Sequence, residues 1–383
     1  MEFALDGIDT DLAAPMRALG ERVSRRATEL DAAGSFPHDE WKELAAAGLT
    51  GLCAPKRYGG QGTGATATVA ALASLGETCT DNGLLFALGA HLWACTDPIA
   101  RHGSEAQKKR WLRGLCDGSL IGAHAATEAD AGSDAAAIRT TAHRISSGWV
   151  LRGTKAFVTN APVADVLLVT AKTSPELGAM GMSVFLVPRG SPGVDVGPPV
   201  GKSGLRTATT AELILDDCVV SDDAVLGTPG AGMAIFTKTM TRERGFILAP
   251  AVGTLHRLAE QSCAYARERR QFGKSIEDFQ SVANRLADMR TRAETARLLT
   301  FHYAWLVDQR RAQPHDAAMV KLHLAESLLD SSLDAVQVRG AHGYTSELGL
   351  ERMVRDAVGA RIYSGTSDIQ RNIIATARTG SHP

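Results

Sequence analysis

The most informative part of this chain is residues 362–371, with the sequence IYSGTSDIQR. A Gly-Thr pair lies in the middle of this segment, directly before a predicted final helix over residues 367–377. Ser364 occupies the position immediately ahead of the Gly-Thr pair. An alcohol is too weak a base to remove a proton near neutral pH. Proton removal at this segment is therefore either absent or carried out by a carboxylate from elsewhere in the chain.

The region upstream of this segment is predicted to be helical as far back as the glycine-rich turn at 230–232. Apolar residues recur there at three- and four-residue steps. One such stripe consists of Leu286, Met289, Ala293, Ala296 and Leu299. The predicted helices cover residues 233–270, 276–309, 315–340, 348–363 and 367–377. Long helices with short connections predict a C-terminal domain of the four-helix-bundle type, residues 229–383.

A change of period separates two further domains. Residues 121–228 contain short β-type runs between glycine- and proline-rich turns, without helices between them, which predicts an antiparallel barrel or sandwich. The strands are expected at 121–126, 149–151, 155–159, 166–171, 182–187 and 211–215. Residues 1–120 have helical periodicity. We therefore expect an α+β chain with an all-α domain (1–120), a β domain (121–228) and a second all-α domain (229–383).

The bulk composition excludes several classes of function. Of the 383 residues, 44% are hydrophobic and 22% charged, and the formal net charge of −1 provides no basic excess for binding nucleic acid. The longest apolar runs are too short to cross a bilayer. Residues 1–6 lack the basic and apolar regions of a secretion signal. The six cysteines include no Cys-x-x-Cys pair, which favours reduced thiols in a cytoplasmic protein.

Other kinds of catalytic site find little support. Residues 62–67 loosely match a dinucleotide-binding fingerprint, but no hydrophobic strand precedes them, so a plain helix-entry turn is favoured. His302, His315 and His323 lack metal-ligand spacing, and we expect no metal site. The sequence has neither a Walker-type loop nor a Gly-x-Ser-x-Gly elbow.

Four motifs precede the C-terminal segment. They are TEADAGSD at 127–134, GTKAFVTN at 153–160, RERRQFGK at 267–274 and QVRGAHG at 337–343. Together with residues 362–371 they resemble the motifs of the acyl-CoA dehydrogenases, in the order and spacing of that family, across about residues 20–378. The chain departs from the family pattern at Ala129-Asp130, where Pro-Gly is more usual, and at Ala341 and His342.

The resemblance implies that the cofactor is FAD and suggests which residues hold it. Thr127 and Thr159 match hydrogen-bond donors to the flavin, and Phe157 matches a residue that lies against the ring. The turn at Gly132 and Ser133 would present backbone N–H groups to a phosphate, and Ser133 is also expected to contact substrate.

A second group of positions matches residues around the dinucleotide. Arg269 would neutralise its pyrophosphate and Phe272 would pack near its adenosine half. In this family both residues reach the FAD of a neighbouring subunit, which implies a homotetramer. The remaining positions of this group are Gln337, Gly340, Thr366 and Asp368.

The resemblance also implies a general base that removes the α-proton of an acyl thioester while FAD takes the β-hydride. Most members of the family carry this carboxylate where the chain has Ser364. Some, including isovaleryl- and long-chain acyl-CoA dehydrogenases, carry it on the first helix of the C-terminal domain, directly ahead of an arginine. Glu243-Arg244 matches that pattern, so we expect Glu243 to be the base and Arg244 to help position the substrate. The alternative is an exposed Glu243 that balances Arg242 and Arg244.

The substrate implied by the resemblance is an acyl thioester on coenzyme A or on a carrier protein. The combination of Ser364 and Glu243 is similar to family members that oxidise prolyl groups tethered to a peptidyl carrier protein, so the carrier is favoured. The expected electron acceptor is an electron-transfer flavoprotein or oxygen. Two alternatives remain open, namely a flavin-dependent oxidase or monooxygenase on the same fold and a flavin-free structural relative.

Overall fold

A computed structural model describes residues 13–379. Residues 1–6, on which the predicted lack of a secretion signal rests, lie outside this range, so the cytoplasmic location stays a prediction. Within residues 13–379, no helix combines the length and apolar character needed to span a membrane.

The N-terminal part is a layer of helices, as predicted. In the first helix, Met16, Leu19 and Val23 are buried at three- and four-residue steps. Ser104 and Gln107 begin the last helix with a capping box, in which each side chain accepts a hydrogen bond from the other's backbone N–H. The helices are α1 Ala13–Val23, α2 Ala27–Ala33, α3 His38–Ala46, α4 Ala65–Thr78, α5 Asn82–His91, α6 Asp97–His102 and α7 Glu105–Cys116. A π-helical turn, Leu92–Thr96, joins α5 to α6.

The middle part forms one sheet of eight strands. These strands are β1 Gly122–Ala125, β2 Thr141–Ile145, β3 Gly148–Thr159, β4 Val166–Lys172, β5 Met182–Pro188, β6 Val194–Val196, β7 Thr210–Val220 and β8 Val225–Leu226. Their order is β6-β7-β3-β2-β4-β5-β8, with β1 also paired to β4.

Most strand pairs are antiparallel, as predicted. The sheet is nevertheless mixed, because β1 and β4 run parallel, from Gly122 beside Val166 to Ala125 beside Val169, and β2 also pairs with β4 in parallel. A parallel pair requires a long crossover rather than a tight hairpin, so no local turn signal marks it in the sequence.

Strand β3 merges two of the predicted strands and is irregular at the point where it approaches the site. Its pairing with β7 shifts register between Lys155 and Val158. Phe157 lies in this irregularity with a φ of 55°, and it is 66% exposed. A bulge can redirect a side chain away from the sheet. Here the redirected side chain is an aromatic ring that lines the cavity described below.

Helices return after the sheet and continue to the end of the described chain. They are α8 Gly232–Phe246, α9 Ala249–Glu268, α10 Gln280–Asp308, α11 Pro314–Arg339, α12 Ala341–Tyr344, α13 Leu350–Ala360 and α14 Ser367–Thr379. A small hairpin of β9 Arg270–Gln271 and β10 Lys274–Ser275 separates α9 from α10. The single helix predicted over 233–270 is two helices, since Pro250 cannot donate the N–H that would continue α8. Helices α9 and α10 pack against α4, and α11 packs against both of them, so the two helical parts share one core.

Two buried carboxylates tie the three parts of the chain together. The Asp81 carboxylate, just before α5, accepts a hydrogen bond from the Thr207 hydroxyl at 2.5 Å. The Asp356 carboxylate of α13 accepts from the Leu205 backbone N–H at 2.6 Å and from the Asn82 side chain at 3.0 Å. These bonds hold the loop before β7 between the two helical layers, where it forms a wall of the site.

Candidate active site

A cavity of about 700 Å³ opens where the sheet meets the two helical layers. Its walls are the segment after β1, the end of β3, the loop before β7, helix α8 and the segment 362–369. Most of the predicted site residues line it, namely Thr127, Gly132, Ser133, Phe157, Thr159, Glu243, Arg244 and Thr366.

Glu243 is part of the cavity wall. Phe236, Met240 and Glu243 follow one another at helical steps along α8, and all three line the cavity. Glu243 is only 8% exposed, so the alternative of a solvated surface carboxylate does not hold. Burial raises the pKa of Glu243 above its ordinary value, while a hydrogen bond from Ser364 and the charges of Arg244 and Lys321 oppose the rise.

Ser364 contacts Glu243 directly. Its hydroxyl donates a hydrogen bond to Oε1 of Glu243 at 2.5 Å. Ser364 has a φ of 55° and Gly365 a φ of 88°, so both adopt left-handed backbone conformations. The Nε group of Arg244 donates to the Ser364 carbonyl at 3.2 Å. The serine before the Gly-Thr pair and the glutamate on α8 therefore face the same point in the cavity.

The residues expected around the flavin provide unsatisfied hydrogen-bonding groups and an exposed ring. Within residues 13–379, the hydroxyls of Thr127 and Thr159 have no hydrogen-bond partner, and both residues line the cavity. The Phe157 ring lies in the same wall. A Cβ atom at Gly132 would meet no atom within 4 Å, so the turn that includes Ser133 has open space beside it. Free donors, an aromatic face and an accessible turn fit the requirements of FAD.

The other predicted residues do not reach this cavity. They lie at the surface, namely Arg269, Phe272, Gln337, Gly340 and Asp368. Phe272, in the hairpin after α9, is 93% exposed. Asp368, in the first turn of α14, accepts a hydrogen bond from Arg371 at 2.9 Å. A single copy of the chain thus assembles only part of the predicted set.

Sequence reasoning missed several polar residues of the site. His124 of β1 lines the cavity beside Phe236, with ring centroids 6.0 Å apart. Burial, followed by the charge of Lys155, lowers the pKa of His124 to about 4, so its ring is neutral at pH 7. Lys321 of α11 is fully buried and donates to the Gly365 carbonyl at 2.8 Å. His124 lay within a predicted strand and Lys321 within a predicted helix, and neither position carries a signal of its contacts.

Comparison with known proteins covers all three parts of the chain. Profiles of the N-terminal, middle and C-terminal domains of acyl-CoA dehydrogenases match residues 12–119, 123–218 and 230–378. The chain therefore belongs to the acyl-CoA dehydrogenase family. The predicted family and three-domain fold are confirmed.

Within this family the chain is similar to two proteins named L-prolyl-[peptidyl-carrier protein] dehydrogenase. The one from Pseudomonas fluorescens is 42% identical over 341 residues, which cover 89% of this chain and 90% of that protein. The one from Serratia sp. is 42% identical over 335 residues, which cover 88% of this chain and 87% of that protein.

The chain is also similar to solved structures of proteins that act on prolyl groups or bind proline, according to their names. The crystal structure of the prolyl acyl carrier protein oxidase AnaB superimposes with a TM-score of 0.96 at 40% identity, covering 98% of this chain and 100% of AnaB. The structure of PigA with FAD and proline has a TM-score of 0.95 at 38% identity and covers 99% of both chains.

Proposed function

We propose that this protein is an FAD-dependent dehydrogenase that forms a double bond between the α- and β-carbons of an acyl thioester, with Glu243 as the general base. The enzyme class and cofactor are those of the family and of its solved relatives. The role of Glu243 is our assignment.

One contrast carries this assignment. In the described part of the chain, two carboxylates line the cavity, Glu128 and Glu243. Glu128 is paired with Lys155, and hydrogen bonds with that lysine and Thr140 outweigh burial and lower the pKa of Glu128 to about 2. Such a carboxylate is a poor proton acceptor, whereas the raised pKa of Glu243 suits proton abstraction.

The geometry of Glu243 leaves one oxygen for the substrate. Oε1 accepts from Ser364, while Oε2 has no hydrogen-bond partner within residues 13–379. The α-proton of the thioester would pass to Oε2 as the new double bond forms between the α- and β-carbons. Bound FAD supplies the acceptor for the hydride that leaves the β-carbon.

The cavity residues would hold the cofactor and orient the base. Thr127 and Thr159 would donate to the flavin, Phe157 would cover its ring, and the turn at Gly132 and Ser133 would approach a phosphate. Arg244 holds the Ser364 carbonyl, and its charge favours the ionised form of Glu243. The arginine thereby acts on the base as well as near the substrate.

We propose that the acyl group is carried by a carrier protein and is a prolyl group or one of similar size. Support comes from the two relatives named for that substrate and from the AnaB and PigA structures. Relatives that act on coenzyme A esters are somewhat less similar, such as the human short-chain acyl-CoA dehydrogenase at 37% identity.

The test is substrate-driven bleaching of the flavin. Glu243→Gln should keep the yellow cofactor and lose bleaching, because the amide cannot accept the proton. Glu260→Gln, a change of an exposed glutamate on α9, is the matched control and should bleach normally. Retained bleaching in Glu243→Gln would rule out the assignment. Faster reduction by prolyl-coenzyme A than by the prolyl carrier protein would rule out the carrier preference.

The electron acceptor is a second question, and one observation favours oxygen. AnaB, at a TM-score of 0.96, is described as an oxidase. Hydrogen peroxide release in the absence of any protein acceptor would support an oxidase. Turnover only with an electron-transfer flavoprotein would support a dehydrogenase.

We also propose that the active form is a homotetramer in which Arg269 and Phe272 of one copy complete the cofactor site of another. Support comes from the 93% exposure of Phe272, which is unusual for an aromatic side chain. Light scattering should give four times the chain mass, and Phe272→Ser should weaken both assembly and FAD retention. A fully loaded monomer would exclude this arrangement.

A further inference from the structure

The Ser364–Gly365 turn is held by buried donors. L-amino acids other than glycine rarely adopt the positive φ that Ser364 has, so the surroundings must impose this conformation. Lys321 and Gln370 both donate to the Gly365 carbonyl, each at 2.8 Å. Arg244 donates to the carbonyl of Ser364 itself. Both peptide carbonyls of the turn are therefore fixed.

Lys321 is the unusual member of this group. It reaches the turn from α11, is fully buried, and forms no salt bridge with a carboxylate among residues 13–379. Its ammonium lies 5.7 Å from the centre of the Tyr363 ring. Burying a lysine without a paired carboxylate is costly, so this position calls for a role beyond packing.

We propose that Ser364 is a positioning residue that orients the Glu243 carboxylate, and that Lys321 holds Ser364 in place through the Gly365 carbonyl. The hydroxyl fixes Oε1 and so directs Oε2 into the cavity. This inference rests on the proposed role of Glu243 as the base.

The charges around Glu243 act in the same direction. Arg244 faces it from α8 and Lys321 from α11, and both favour its ionised form, as does the Ser364 hydrogen bond. Tyr363 lies on the same segment as Ser364, and burial raises its pKa, so it stays neutral. Burial, then the charge of Arg244, lowers the pKa of Lys321 to about 7. Because the Ser364 hydrogen bond favours the ionised form of Glu243, loss of the hydroxyl should raise the pKa of Glu243 further.

The first experiment is the pH dependence of kcat/KM with the FAD-loaded enzyme. Activity requires ionised Glu243, so it rises with pH through the pKa of this group. Ser364→Ala should move the midpoint of that rise upward by about one pH unit, the value of one hydrogen bond to a charged group. It should also lower kcat more than it changes KM. Lys321→Met should shift the midpoint in the same direction, and Lys321→Arg should shift it less.

Ser364→Gly separates the hydroxyl from the backbone. Glycine adopts a positive φ without strain, so this variant also serves if Ser364→Ala folds poorly. Equal shifts in the alanine and glycine variants support the role of the hydroxyl. A normal profile in the glycine variant, or in both, overturns the inference.

A second measurement is independent of turnover. The infrared carbonyl band of protonated Glu243, identified by its loss in Glu243→Gln, can be followed against pH in FAD-free protein. The band should persist to higher pH in Ser364→Ala than in the wild type, and an unchanged titration contradicts the inference. Activity that survives Glu243→Gln would instead remove the proposed base, whatever the serine variants do.

Discussion

Lys155 and Glu128 form an ion pair in the interior of the protein. The Lys155 ammonium, on β3, is fully buried and donates to Oε1 of Glu128 at 2.8 Å. Glu128 also accepts from the Thr140 hydroxyl and from the Arg139 backbone N–H, at 2.5 and 2.6 Å. Because Glu128 directly follows Thr127, these bonds fix the position of a hydroxyl that we assign to the flavin.

We expect this pair to contribute strongly to the stability of the fold. Lys155→Met leaves a buried carboxylate without its countercharge, which should cost about 3–5 kcal/mol of unfolding free energy. Arg144→Met breaks the exposed pair with Asp222 and should cost no more than about 1 kcal/mol. Urea denaturation of both variants checks this contrast, and similar losses in the two would contradict it.

Asp356 should make the protein less stable as the pH rises. Burial raises the pKa of Asp356 from 3.8 to about 6, so between these values the folded state binds more protons than the unfolded state. Stability from this group is therefore complete below about pH 4 and falls through pH 6, by about 2–3 kcal/mol. Asp356→Asn cannot titrate, and its difference in unfolding free energy from the wild type should change across this window. A constant difference from pH 4 to about 7 would contradict the prediction.

Asp308, at the end of α10, caps helix α4. Its carboxylate accepts from the backbone N–H groups of Ala65 and Thr66 at 2.7 and 2.9 Å. Asp308→Ala should lower the unfolding free energy by about 1–2 kcal/mol, as the loss of a helix cap does. Asp308→Asn keeps one acceptor oxygen and should lose less. Equal stability of wild type and Asp308→Ala in thermal denaturation would show that the contact is dispensable.

Gly245 allows α8 to approach α10 closely. A Cβ atom there would lie 1.9 Å from a ring carbon of Tyr303. Gly245→Ala should therefore displace α8 and cost about 1–3 kcal/mol of unfolding free energy. Because Glu243 and Arg244 immediately precede this residue, kcat should fall as well. Gly190→Ala, at a position with no atom within 4 Å, is the control and should be neutral in both assays.

The helices, and a candidate for the base, could be predicted from the sequence, because each has a signal in its local sequence. Helix α4, Ala65–Thr78, lies in the region whose periodicity predicted helices. The resemblance to the family pointed to Glu243 as the base, through the arginine beside it and the serine at position 364, and this role stays a proposal.

Contacts between distant segments could not be predicted. The parallel strands β1 and β4 are not connected by a single tight turn that the sequence could reveal. Burial of Lys155 and Lys321 likewise depends on partners far away in the sequence. Lysine is normally a surface residue, so neither position stood out in the sequence. The bulge at Phe157 arises from a register shift between β3 and β7, which a single strand cannot reveal.

The short contact between the serine of the last turn and the glutamate of α8 has an evolutionary consequence. These two positions lie near opposite ends of the C-terminal domain, yet their side chains are in hydrogen-bonding contact. A carboxylate introduced at position 364 could take over the role that we propose for Glu243. During evolution this role could therefore pass from one position to the other through an ancestor that carried both carboxylates.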